Sequence, residues 1–122
     1  MSKKTVIMGA SPNTQRYAYV AAQRLLENQH EIVPIGIKKG NVFGTNILNL
    51  REKPSVENVD TVTMYIGTAN QEEWLEYILS LKPKRIIFNP GTENLAFTQR
   101  ASEQGIQTLE ACTLVMLSVG NY

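Results

Sequence analysis

Apolar residues in this chain fall into short unbroken runs that alternate with stretches of helical spacing. "KTVIMGA" is an apolar run that stops at Gly9, and "QRYAYVAAQRLLENQ" then sets Ala18, Ala21, Ala22 and Leu25 on one side of a helix. "HEIVPIGI" reads as a second strand, and "TNILNL", beyond the loop "KKGNVFG", as a short third. "VDTVTMYI" is a strand. "NQEEWLEYILSLKP" is a helix that opens with Asn70 and Glu73 in capping-box spacing, stacks Leu75, Ile78 and Leu79, and ends near Pro83. "KRIIFNPG" predicts a strand ending in a turn, "ENLAFTQRASEQG" a helix closed by Gly105, and "IQTLEA" the last strand.

Strand and helix alternate without a repeat, linker or low-complexity segment, and the strands are apolar on both faces. That combination predicts a parallel sheet covered by helices on both sides. Right-handed crossovers then give a three-layer, doubly wound, Rossmann-like α/β domain over residues 1–122. A chain of this length buries roughly two-thirds of its extended surface and needs no disulfide or structural metal. In such sheets ligands bind beyond the carboxyl ends of the strands, where strand order reverses. Three turns are expected to meet there: Gly9 to Asn13, Gly36 to Lys39, and Asn89 to Asn94.

Charge narrows the range of ligands. The net charge is +1 and the Lys and Arg residues are distributed along the chain, which argues against a nucleic acid or an anionic membrane as partner. The apolar run near the start is too short for a signal segment, and nothing later approaches the ~20 apolar residues of a membrane span, so a cytoplasmic protein is expected. Cys112 is the single cysteine and cannot form an internal disulfide; the lone His30 excludes any site that needs two imidazoles, and no metal site is expected.

The turn after the first strand has the composition of an anion site. Gly9 allows a tight bend, Ala10 and Ser11 add little bulk, and the Ser11 hydroxyl and the free N–H groups of the following helix can donate hydrogen bonds. Ser11, Pro12 and Asn13 equally suit a plain turn and helix cap. Only the first glycine of the G-x-G-x-x-G pattern is present. The region after the second strand distinguishes the two readings. An NAD site places a carboxylate there for the ribose hydroxyls, whereas "IVPIGIKKGN" carries Lys38 and Lys39, which attract a phosphate on the ribose, as in NADP or coenzyme A.

"VIMGASPNTQRYAYVAAQRLLENQHEIVPIGIK" together with "FNPGTENLAFTQRASEQGIQTLEAC" resembles the small stand-alone coenzyme A-binding domain proteins, relatives of the nucleotide-binding domain of succinyl-CoA synthetase α subunits. The resemblance spans nearly the whole chain. It implies that the turn Gly9, Ala10, Ser11 and Pro12 meets the cofactor's phosphates, and Asn13 beside it counts with the site; Arg16 and Tyr17, at the helix start, are placed to reach a ligand phosphate or line the pocket, and equally to face solvent or pack on the sheet. It also implies that Lys38 lies near the adenosine end and that Asn89, Pro90 and Gly91 form a second turn at the site. Gly36 and Ile37 stand where relatives carry Asn and Pro, which implies a looser adenosine-side loop, and Asn89 stands where relatives often have Gln.

Catalytic chemistry finds little material. His30 falls at the start of the second strand, Glu72 and Glu73 suit the first turn of a helix, and Glu93 is a carboxylate without an evident partner. Cys112 reads as a small buried hydrophobe or, if exposed, as a thiol able to exchange with a pantetheine thiol. The expected function is non-catalytic binding of coenzyme A or an acyl-CoA. An NADP-dependent enzyme and a ligand-free interaction module are the alternatives on the same fold.

Overall fold

The computed structural model describes residues 2–122. In chain order the elements are β1 (Thr5–Met8), α1 (Tyr17–Glu27), β2 (Ile32–Gly36), β3 (Asn41–Val42), β4 (Thr45–Asn46), β5 (Leu48–Asn49), β6 (Thr61–Met64), α2 (Leu75–Ser80), β7 (Arg85–Phe88), α3 (Leu95–Glu103), β8 (Gln107–Glu110) and α4 (Thr113–Ser118). Six strands form one parallel sheet in the order β5-β2-β1-β6-β7-β8, while β3 and β4 make a separate small hairpin. The chain starts in the middle, winds outward to β5, then returns to lay β6 on the other side of β1. Strand order therefore reverses between β1 and β6, as in a doubly wound Rossmann-like sheet.

The register brings the strand ends level: Met8 lies opposite both Ile35 and Met64, and Met64 lies opposite Phe88. The loops that begin at Gly9, Ile37, Tyr65 and Asn89 consequently leave from one edge. The pleat divides the core in two. Val6, Met8, Val62, Met64, Ile86 and Phe88 pack under Ile78 and Leu79 of α2 and Phe97 and Ala101 of α3; Ile7 packs under Ala18, Ala22 and Leu25 of α1 and Leu117 of α4. The edge-on contact of Phe88 with Phe97, centroids 5.3 Å apart, joins α3 to the sheet.

On the α1 side the sheet's amino edge is polar. Thr61 Oγ1 accepts from Arg85 Nε at 2.7 Å, the Tyr122 ring lies 4.4 Å from the guanidinium carbon, and the Tyr122 hydroxyl meets Thr5 Oγ1 at 2.5 Å. Arg85 Nη2 is buried and has no hydrogen-bond partner among the described residues, and the cation–π contact with Tyr122 is its compensation.

Three local expectations change. The helix after β1 begins at Tyr17 rather than Gln15, because Ser11 Oγ accepts from the Asn13 amide and Asn13 Oδ1 from the Gln15 amide, committing that segment to turns. The capping box at Asn70 and Glu73 does not form. Those residues lie in two successive 3₁₀ turns, Thr68–Asn70 and Glu72–Trp74, and α2 starts only at Leu75, without a side-chain cap. The intervening Gln71 is fully buried and donates from Nε2 to the carbonyls of Ile66 and Thr92, both at 2.8 Å, which pins the segment. After β8 the chain also adds α4, where no helix was predicted. By contrast α3 closes as expected: Gly105 has φ +76°, and the Ile106 amide reaches back to the Ala101 carbonyl at 3.0 Å.

Candidate functional site

A cavity of about 850 Å³ opens at the carboxyl edge of the sheet, over the point where strand order reverses. Its floor and walls come from the loop after every strand from β5 to β7. Gly9, Ala10 and Ser11 follow β1; Gly36, Ile37 and Lys38 lie at the end of β2; Leu50 and Arg51 follow β5; Tyr65, Ile66 and Gly67 follow β6; Pro90, Gly91 and Thr92 follow β7. Arg16, Tyr17 and Ala18 contribute the start of α1, and Asn70, Glu73 and Trp74 close the side next to α2.

The β1 loop is held from below. The amides of both Gly9 and Ala10 donate to the Ile35 carbonyl, at 2.8 and 2.9 Å. Those two N–H groups are therefore spent on the fold, and donors for an anion must come from further along. The amides of Tyr17 and Ala18 have no partner among the described residues, and the α1 N-cap, Arg16, makes no side-chain cap. This uncapped first turn faces the cavity with its partial positive charge unanswered.

Gly9 has φ +96°, as its turn requires, but its lack of a side chain serves the neighbouring strand: an added Cβ would lie 3.0 Å from the Tyr65 carbonyl carbon and 3.1 Å from the Ile66 amide nitrogen. Gly36 is equally constrained, since a Cβ there would overlap the Ala10 carbonyl oxygen. The glycine lets the end of β2 and the β1 loop pack in direct contact.

Most of the turn residues singled out from sequence meet at this cavity. Gly9, Ala10, Ser11, Arg16, Tyr17, Lys38, Pro90 and Gly91 line it; Pro12, Asn13 and Asn89 do not. Pro12 packs against Gly40, and Asn13 is an exposed turn residue. Asn89 points inward. Its Nδ2 donates to Thr63 Oγ1 at 2.8 Å and to the Met64 carbonyl at 2.9 Å, and its Oδ1 accepts from the Thr113 amide at 2.8 Å, tying β6, β7 and α4 together. Glu93 is likewise structural, with Oε1 accepting from the Gly91 amide at 2.8 Å. Cys112 is half-buried at the N-cap of α4 and does not line the cavity. His30 precedes β2 at the opposite edge, where Nδ1 accepts from the Lys3 amide at 2.9 Å.

Arg51, Tyr65 and Trp74 were not legible as site residues, because their places depend on how β5 and the 3₁₀ turns fold back over the sheet. The one available signal was position: Tyr65 and Ile66 immediately follow a predicted strand. The Tyr65 hydroxyl has its pKa pushed up to about 12, mainly by burial, so it stays neutral throughout the physiological range.

Arg16, Lys38 and Arg51 all line the cavity, and none has a carboxylate within ion-pair distance among the described residues. Against these three cations the cavity carries a single carboxylate, Glu73. The site is electrostatically incomplete in a way that an anionic ligand would complete.

A family model described as "CoA binding domain" matches residues 3–118. Among solved structures, one described as an uncharacterized protein is 56% identical with a TM-score of 0.96, the match covering 100% of this chain and 99% of that one. A hypothetical protein from Pyrococcus horikoshii OT3 is 24% identical with a TM-score of 0.84, covering 97% of this chain and 83% of that one. A protein from Thermus thermophilus is 18% identical with a TM-score of 0.82, covering 99% and 91% respectively. These last two share the fold. No curated protein matches the chain.

Proposed function

The chain belongs to the CoA binding domain family, and on that premise we propose that it binds coenzyme A or an acyl-CoA reversibly, as a ligand and not as a reactant. The observation that carries this reading is the cavity at the strand-order reversal, where an uncapped helix start and three unpaired cations face one carboxylate. A dinucleotide with free ribose hydroxyls would call for a carboxylate after β2, and that position holds Lys38. The ligand's diphosphate lies at the Ser11 turn and the first turn of α1, where Arg16 and the free amides of Tyr17 and Ala18 supply the donors. The remainder of the ligand extends along the sheet edge toward Pro90 and Gly91.

The non-catalytic part of the reading rests on the chemistry of the lining. Glu73 is exposed and makes no ion pair among the described residues, Tyr65 holds its proton to about pH 12, and the one histidine lies at the far edge. Native mass spectrometry of the purified protein, followed by calorimetry with CoA and NAD, tests the proposal. Retained CoA, or tighter binding of CoA than of NAD, is expected; tighter binding of NAD would overturn it.

A further inference from the structure

The cavity is cationic on one side only. Its three cations, Arg16, Lys38 and Arg51, come from the loops after β1, β2 and β5. The residues that follow β6 and β7 contribute none. Their one charge is the Glu73 carboxylate, which is exposed and makes no ion pair among the described residues. This half presents instead an apolar wall: Ile66 and Trp74, both packed against the core beneath α2 and α3, and Pro90 at the turn after β7. A negatively charged group is therefore favoured over the β5-β2-β1 half and disfavoured over the β6-β7 half.

Apolar surface continues along the chain past the lining. Leu95, the first residue of α3, follows the turn of Pro90, Gly91 and Thr92 and is 73% exposed, more than any other aliphatic side chain among the described residues. The segment that carries it is fixed. Thr68 Oγ1 donates to the Glu93 carbonyl at 2.7 Å, Glu93 Oε1 accepts from the Gly91 amide at 2.8 Å, and Asn94 Oδ1 accepts from the Phe97 amide at 3.0 Å. A single exposed leucine needs no explanation by itself. This one is held in solvent next to the uncharged, apolar half of a ligand cavity, where it extends the wall that Ile66, Trp74 and Pro90 begin.

We propose that the β6-β7 half of the cavity, with Leu95 beyond it, seats an uncharged aliphatic acyl group on the ligand's thioester, so that the site selects aliphatic acyl-CoA over free CoA and over acyl groups that end in a carboxylate. The inference rests on the coenzyme A reading of this cavity, with the diphosphate at the start of α1 and the ligand extending toward Pro90 and Gly91, and its test separates the two. Calorimetry is run at low salt with CoA, acetyl-CoA, butyryl-CoA, hexanoyl-CoA and succinyl-CoA on the parent protein and on Leu95→Ser, with circular dichroism as the check on folding. A half-buried methylene is worth about twofold in affinity, so hexanoyl-CoA should bind roughly tenfold more tightly than acetyl-CoA. Succinyl-CoA matches butyryl-CoA in chain length and adds a carboxylate; it should bind about threefold more weakly or worse, the scale of repulsion by one exposed like charge. Leu95→Ser should flatten the rise from acetyl to hexanoyl. Equal affinity for CoA, acetyl-CoA and hexanoyl-CoA overturns the proposal while coenzyme A binding stands. So does a rise with chain length that Leu95→Ser leaves intact, or succinyl-CoA binding as tightly as butyryl-CoA. Absence of binding by all five overturns the coenzyme A reading as well.

Discussion

At the scale of single residues, two positions turn geometry into measurable energy. Gly36 is buried beneath the Ala10 carbonyl, and a methyl group has no space between them. Gly36→Ala is expected to destabilise the fold by about 1–3 kcal/mol, the usual scale of overpacking, and to displace the Ser11 turn, so CoA affinity falls with stability. Urea denaturation and calorimetry on the same variant check both effects. His30 sets a pH dependence. Burial, reinforced by the nearby charge of Lys3, lowers its pKa from the ordinary 6.5, and its Nδ1 must stay unprotonated to accept the Lys3 amide hydrogen. The unfolded chain then binds a proton more readily than the folded one. The stabilisation is full above the unfolded pKa and is lost as pH falls through the folded value. Thermal unfolding measured from pH 8 down to pH 5 should show a decline that His30→Gln makes shallower; an unchanged slope would mean that other groups govern it.

At the scale of elements, the ends of helices decide where sequence reasoning succeeds. α3 was legible at its close, where Gly105 supplies the left-handed residue that the sequence pointed to; its start, set by Asn94 accepting from the Phe97 amide at 3.0 Å, falls two residues after the predicted one. α2 was legible only in its apolar face. The Asn70 and Glu73 spacing imitates a capping box, yet the buried Gln71 makes longer-range bonds that override it, and those partners lie 5 and 21 residues away. The candidate site divides the same way. Turns that directly follow β1 and β2 could be placed from the strand pattern, whereas Arg51 and Trp74 depend on the packing of irregular segments, and Asn89 is drawn inward by Thr63 and Thr113. Gln71→Ala would leave the Ile66 and Thr92 carbonyls and the Asn94 Nδ2 donor without the partner that Gln71 supplies, and should cost about 2–3 kcal/mol in denaturant unfolding. A helix end also offers a gain. α1 closes through Gln29 at φ +66°, with the His30 amide returning to the Leu25 carbonyl at 2.9 Å, a geometry in which glycine has no Cβ penalty. Gln29→Gly should therefore raise stability by up to about 1 kcal/mol.

At the scale of the whole molecule, the cavity joins ligand affinity to fold stability. Its walls come from loops after β1, β2, β5, β6 and β7, so unfolding any part of the sheet removes the site, and a ligand that fills it holds all of them in place. Linkage sets the size of the effect: CoA at a hundred times its dissociation constant adds about 2.7 kcal/mol to the unfolding free energy, which for a domain of this size corresponds to a rise of several degrees in Tm. The rise has an electrostatic signature, because Arg16, Lys38 and Arg51 are exposed cations with no ion pair among the described residues and salt screens their attraction for phosphate. Differential scanning fluorimetry with CoA should thus show a rise that shrinks between 50 mM and 500 mM salt. Arg16→Gln should shrink it further at every salt concentration while the unliganded Tm barely moves, since the Arg16 side chain makes no cap or ion pair in the folded protein and the helix draws only on its backbone carbonyl. A Tm rise that is indifferent to both salt and Arg16 would mean that the ligand is held by apolar contact, and the cavity's cations would then have no part in binding.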